Sequence, residues 1–220
     1  AMRRNPEGTG HAYSHYLGFW TAEHSLSVML ALLVLDFFVL TPGRFLGLAV
    51  QFISVLFLIL ALLAGVLSLE HKAFRRAGTL LVAGTVAFRT AGAFSNASWL
   101  RFGDMLLTFF SLSALILIVY RQVSKEGPVS GHLVRGAIAL YLLIAMLFAY
   151  LYGLSEYLSP GAFTMPAALA GSSARGEGFY YFSIVTLTTV GFGDITAVHP
   201  FVRSLVMLEA LVGQLYPAIL

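Results

Sequence analysis

The sequence predicts an all-α membrane protein of six transmembrane helices, with one shorter helix that enters the bilayer and turns back. Three observations carry that expectation. The 220 residues are 59% hydrophobic and only 10% charged, more apolar surface than a soluble core needs. Apolar runs recur near 25–41, 45–69, 77–95, 105–120, 133–157 and 200–220. Each approaches the ~20 residues that span a bilayer as helix, allowing for tilt and frayed ends. Between the fifth and sixth runs lies 177–187, too short to span, and tolerated at membrane depth only where protein surrounds it.

Ahead of the first run, residues 11–24 carry His11, His15 and His24 among Tyr13, Tyr16, Phe19 and Trp20. That mixture favours an interfacial amphipathic helix over a metal site at the i,i+4 pair His11 and His15. The opening Ala1-Met2 reads as a tag remnant, and the last run ends with the chain about 21 residues in, compatible with a longer native protein. The first run holds Asp36 and the third Arg89, at similar depth, so a buried Asp36–Arg89 ion pair is expected. Asn96-Ala97-Ser98 fits a glycosylation sequon by pattern alone.

The polar stretch Gln122 to His132, with Gly127-Pro128 and Gly131, should end the fourth helix. It divides the chain into a four-helix peripheral domain, 1–121, a linker, 122–132, and a second domain, 133–220. If the runs alternate across the membrane, Arg3, Arg4, Lys72, Arg75, Arg76, Arg121, Lys125 and Arg135 fall on one side. The other side keeps Arg44, Arg101, Arg175 and Arg203. The positive-inside rule then places both termini in the cytoplasm of a multi-pass cell-membrane protein.

After the aromatic stretch Phe179-Tyr-Tyr-Phe182 comes Thr188-Thr-Val-Gly-Phe-Gly-Asp194. Glycines at 191 and 193 permit positive φ at alternate residues, so successive carbonyls can point to one side. Such carbonyls can replace the water shell of an alkali ion. One strand of them makes no tube, so the chemistry demands an oligomer.

Thr-x-Gly-aromatic-Gly-Asp between two apolar segments resembles the filter of the tetrameric potassium-channel family, and the resemblance extends over roughly Ser130 to Leu220. It implies a homotetramer with a re-entrant pore helix and a selectivity-filter loop. K+ would bind at Thr189, Val190, Gly191 and Phe192, with Gly193 completing the filter. Thr188, Asp194, Tyr181 and Val185 would support it, and Tyr180 and Phe182 would pack around it. Phe192 stands where the family usually has Tyr, and Val185 where some members carry Glu. The missing hydroxyl is expected to weaken the filter without changing ion choice.

In the last run Glu209, Gly213 and Pro217 share one helix face. Pro217 cannot donate to the Gly213 carbonyl, and Gly lowers helix preference by about 1 kcal/mol, so 213–217 is a candidate gating hinge. Gly213 serves close helix packing equally well. Gln214 is expected to line the cavity. Glu209, a mid-helix carboxylate, should face protein or water, either behind the filter in place of a residue at Val185 or near the cavity.

The fourth run, 105–120, has no basic residue. Each charge crossing the field contributes ~2.3 kcal/mol per 100 mV, so steep voltage gating is not expected. The first four helices are expected to act as scaffold or as a contact for lipid or a partner. The alternatives are a weakly selective cation channel or a potassium transporter. No metal-protease spacing or serine nucleophile motif occurs, so no enzyme is expected. Cysteine is absent, and no cofactor is expected beyond permeant K+. The small net charge of +3 does not suggest nucleic acid.

Overall fold

A computed structural model describes residues 26–41, most of 53–63, 72–95, 97–124, 131–169 and 172–219. The segment 11–24 with its histidines, Arg3, Arg4, Arg44, Asn96, Lys125 and Gly127-Pro128 lie outside the described residues, as do the side chains of Lys72 and Arg75. The chain forms α1 (Leu26–Leu40), α2 (58–63), α3 (Lys72–Phe94), α4 (Ser98–Val123), α5 (Gly131–Leu158), α6 (Ser172–Leu187) and α7 (Pro200–Ile219). Among the described residues, Ser98–Val123 and the Leu133–Leu158 part of α5 are long and apolar enough to cross a membrane, and α1 is a shorter apolar helix.

Two boundaries move from their expected places. α4 begins at Ser98, not near 105, and takes in Arg101, Asp104 and Arg121 at its ends. α6 begins at Ser172, not 177, and takes in Arg175 and Glu177. Charged residues in a helix's terminal turns lower local hydropathy without breaking the helix, so apolar runs understate helix length.

α3 and α4 form a hairpin whose contact depends on small residues. The Phe88 ring fills the place a Cβ would take at Gly103, and Gly84 faces Leu107. Thr85 and Ser111 meet across the buried interface at 3.3 Å.

α5 runs antiparallel to α4. Near its start, a Cβ on Gly136 would fall 2.5 Å from a Val123 methyl, and Arg135 donates to Ser27 Oγ of α1 at 2.6 Å. At its far end Tyr157 donates to the Ser98 carbonyl at 3.1 Å and stacks on Phe102. Arg121 and Arg135 therefore share one end of this pair and Arg101 the other.

α1 is not uniformly α-helical. Asp36–Leu40 forms a π turn closed by Thr41 N–H to the Asp36 carbonyl, and it turns both Asp36 and Phe37 inward. Buried side chains run without interruption from Leu26 in α1 to Val202 in α7, so peripheral and C-terminal helices share one core.

Between α5 and α6 the chain makes β1 (Phe163–Thr164), which pairs antiparallel with β2 (Thr196–Ala197) just after the glycine loop. Val198 and His199 N–H groups both reach the Ala162 carbonyl, at 2.8 and 3.2 Å. The loop's exit is thereby fixed to the α5–α6 connection.

Candidate functional site

The last turn of α6 shapes the loop that follows it. Thr189 N–H bonds to the Thr186 carbonyl at 2.9 Å, and Val190 and Gly191 N–H groups share the Val185 carbonyl at 3.0 and 3.3 Å. This is a helix C-cap of the Schellman type, which needs a left-handed residue just past the end and usually takes glycine. Here that residue is Thr189, at φ 60°. A β-branched residue resists this conformation, so the cap must over-determine it. The alternation continues with Gly191 at φ 56° and Gly193 at φ 79°, while neither Val190 nor Phe192 has positive φ. Alternating hand lets successive peptide planes turn the same way, so that the carbonyls can fall on one side and the N–H groups on the other. A Cβ at either glycine would meet nothing within 4 Å, so backbone conformation and not space requires them.

Thr188 through Asp194 are all exposed on the single chain, Phe192 at 69% and Val190 at 55%. Thr188 turns its hydroxyl back to the Ile184 carbonyl at 2.7 Å. Asp194 accepts from Ile195 N–H at 3.1 Å, and the Tyr181 hydroxyl faces its carboxylate. Tyr181 also stacks parallel to Phe192, ring centroids 6.4 Å apart.

Of the three expected aromatic supports, Tyr181 stacks on Phe192 and Phe182 lines the cavity behind the loop. Tyr180 packs on Phe37 and Tyr150, and Phe182 on Tyr152 and Phe163. Consecutive helical residues point about 100° apart, so one helix cannot aim all three at one ring. Val185 contributes its carbonyl to the loop amides, and its buried side chain lines a cavity of about 310 Å³ behind the loop, shared with Val206 and Ala210 of α7.

α7 passes close behind the end of α6. Gly213 is buried, and a Cβ there would collide with the Leu187 carbonyl oxygen, which also accepts from Tyr141 at 3.0 Å. α7 continues as helix through both Gly213 and Pro217, and its approach to Leu187 is one that only a residue without a Cβ allows. Gln214 Nε2 donates to Thr189 Oγ1 at 3.2 Å, tying α7 to the base of the loop.

Glu209 is 0% exposed. Its two oxygens meet the hydroxyls of Tyr152 on α5 and Ser183 on α6. It therefore joins three helices. As expected of a mid-helix carboxylate it faces protein, and it hydrogen-bonds to α6 behind the loop through Ser183, two residues before Val185.

The Arg89 partner differs from expectation. Its guanidinium is held by Asp104, with Nε 3.1 Å from Oδ1 and Nη2 3.1 Å from Oδ2, and not by Asp36. Nη2 also reaches Thr108 at 3.3 Å and the Tyr150 hydroxyl at 3.2 Å. Asp104 escaped notice because the apolar run appeared to begin one residue later, at Met105. A second acid was also missed. Glu156 accepts from Gly161 and Phe163 N–H groups and from Arg175 Nη1, at 3.0, 3.3 and 3.2 Å, and so organises the connection ahead of α6. An acid at the end of an apolar run, before Pro160-Gly161, was the available signal.

No curated protein and no solved structure shows a significant match to the chain. Residues 137–220 do match a family model described as "Ion channel", which takes in most of α5, all of α6, the glycine loop and α7. That class is not enzymatic. With a glycine loop of alternating hand behind a short helix, residues 137–220 are similar to an ion-channel domain, and the apolar helices around them suit a membrane.

Proposed function

We propose that the chain is one subunit of a homotetrameric, potassium-selective channel that conducts K+ passively through a filter of backbone carbonyls. The observation that carries this reading is the alternating positive φ at Thr189, Gly191 and Gly193. Four such strands around an axis would present carbonyls of Thr189, Val190, Gly191 and Phe192, with the Thr189 hydroxyl, as stacked sites for dehydrated K+. The exposure of Val190 and Phe192, and the cavity behind them, agree with neighbouring copies completing the site. So does the exposed apolar face of α7 at Met207, Leu208, Leu211 and Leu215. α6 would aim the partial negative charge of its C-terminal end toward the permeating ion. Both termini would be cytoplasmic, with Asp194 at the outer mouth. Steep voltage dependence is not expected, because Arg89 is fixed by Asp104 and α4 carries basic residues only at its ends.

The test is flux through reconstituted protein, with reversal potentials in K+ and Na+ gradients. A K+ permeability well above that of Na+ is the expected result, and equal permeability would overturn selectivity. Gly191→Ala forces a Cβ onto φ 56°, about 1–2 kcal/mol of strain in each subunit. It is expected to abolish selective flux, and a variant with wild-type selectivity would remove the filter assignment. A weakly selective cation channel is the second reading, and it requires Phe192 to alter ion choice as well as filter stability. Its ring stacks on Tyr181 but brings no hydroxyl to hold the filter.

A further inference from the structure

We infer that the peripheral helices brace the filter through Tyr180, and that the Arg89–Asp104 pair holds the brace in place. This rests on reading residues 188–194 as the filter. Two separate contacts converge on Tyr180 in the middle of α6. From α1, the π turn presents Phe37 edge-on to the Tyr180 ring, 5.5 Å between centroids and tilted 74°. From α5, Tyr150 meets the same ring at 6.1 Å and 75°. Edge-to-face contacts of this kind fix ring positions beyond simple burial.

Tyr150 is itself held from the peripheral side, since its hydroxyl accepts from Arg89 Nη2 at 3.2 Å. Arg89 belongs to α3 and is locked to α4 by Asp104 and Thr108. A guanidinium engaged by a carboxylate and two hydroxyls has little freedom to move. The next residue of α6, Tyr181, stacks on Phe192 and faces Asp194. Both tyrosines ride on one rigid helix, so a shift at Tyr180 is a shift behind the filter. The chain of contact runs α3/α4, Tyr150, Tyr180, α6, Tyr181, Phe192.

Spatial continuity alone does not establish coupling. The test is amide hydrogen exchange of the full chain, reconstituted in lipid, for Tyr150→Phe, Asp104→Asn and the control Tyr157→Phe. Tyr150→Phe keeps the ring and deletes only the oxygen Arg89 holds, whereas Tyr157→Phe deletes a different α5–α4 hydrogen bond, to the Ser98 carbonyl, about two turns further along α5. Both Tyr150→Phe and Asp104→Asn should speed exchange across 188–194 on the order of fivefold, the size of a membrane interhelical hydrogen bond. Tyr157→Phe should leave that segment unchanged. Exchange within about twofold of wild type for Tyr150→Phe, or equal acceleration in Tyr157→Phe, would overturn the brace. Wild-type cation flux is recorded on the same vesicles. Faster exchange without wild-type flux would keep the mechanical link and reject the filter reading. Flux with unaltered exchange would do the reverse.

Discussion

Gly213→Ala is expected to destabilise the protein, although alanine is the better helix former. In an exposed helix the exchange would gain about 1 kcal/mol. Here the added methyl meets the Leu187 carbonyl oxygen, a backbone atom with no rotamer to change. That carbonyl is held in turn by the Tyr141 hydroxyl of α5 at 3.0 Å. Only α7 can yield, and moving it disturbs the Gln214–Thr189 bond at 3.2 Å one residue along. Overpacking of this kind typically costs about 1–3 kcal/mol, which exceeds the propensity gain, and Gly213→Val should fare worse still. Thermal unfolding in detergent reads the effect directly. A Gly213→Ala protein as stable as wild type would refute the close approach. If it were equally stable but changed its open probability, the hinge role would replace the packing role.

How much of this was legible in the sequence depended on how local its cause is. The glycines at 191 and 193 were legible because positive φ is a single-residue demand, and both positions meet it. The same demand at Thr189 was hidden, since the cap of α6 imposes it against the residue's own preference. Glu209 announced itself as a carboxylate in an apolar run. Its partners did not, because Ser183 and Tyr152 stand 26 and 57 residues away and meet it only through helix packing. Arg89 was likewise visible while Asp104 was not, because an apolar-run boundary drawn at Met105 excluded the carboxylate by one position. Long apolar helices such as α4 and α5 were readable from composition, whereas helix ends and cross-helix polar partners were set by tertiary contact.

Removing the Glu209 side chain should loosen three helices together. In Glu209→Ala the Tyr152 hydroxyl, on a side chain 0% exposed, loses the acceptor it has on α7. Ser183 fares better, because its hydroxyl also lies 2.7 Å from the Ala145 carbonyl and can donate there. An orphaned buried donor costs about 1–3 kcal/mol, and the volume vacated by the carboxylate adds a cavity term. A loss of roughly 3 kcal/mol per chain is therefore expected for Glu209→Ala. Glu209→Gln keeps the shape and one accepting oxygen, and should lose about 1 kcal/mol or less. Ser183→Ala should also cost about 1–3 kcal/mol, since it leaves the buried Glu209 Oε1 without its donor. Unfolding midpoints of the three variants decide the matter: if Ala and Gln at position 209 unfold together, the carboxylate is not what joins α5, α6 and α7.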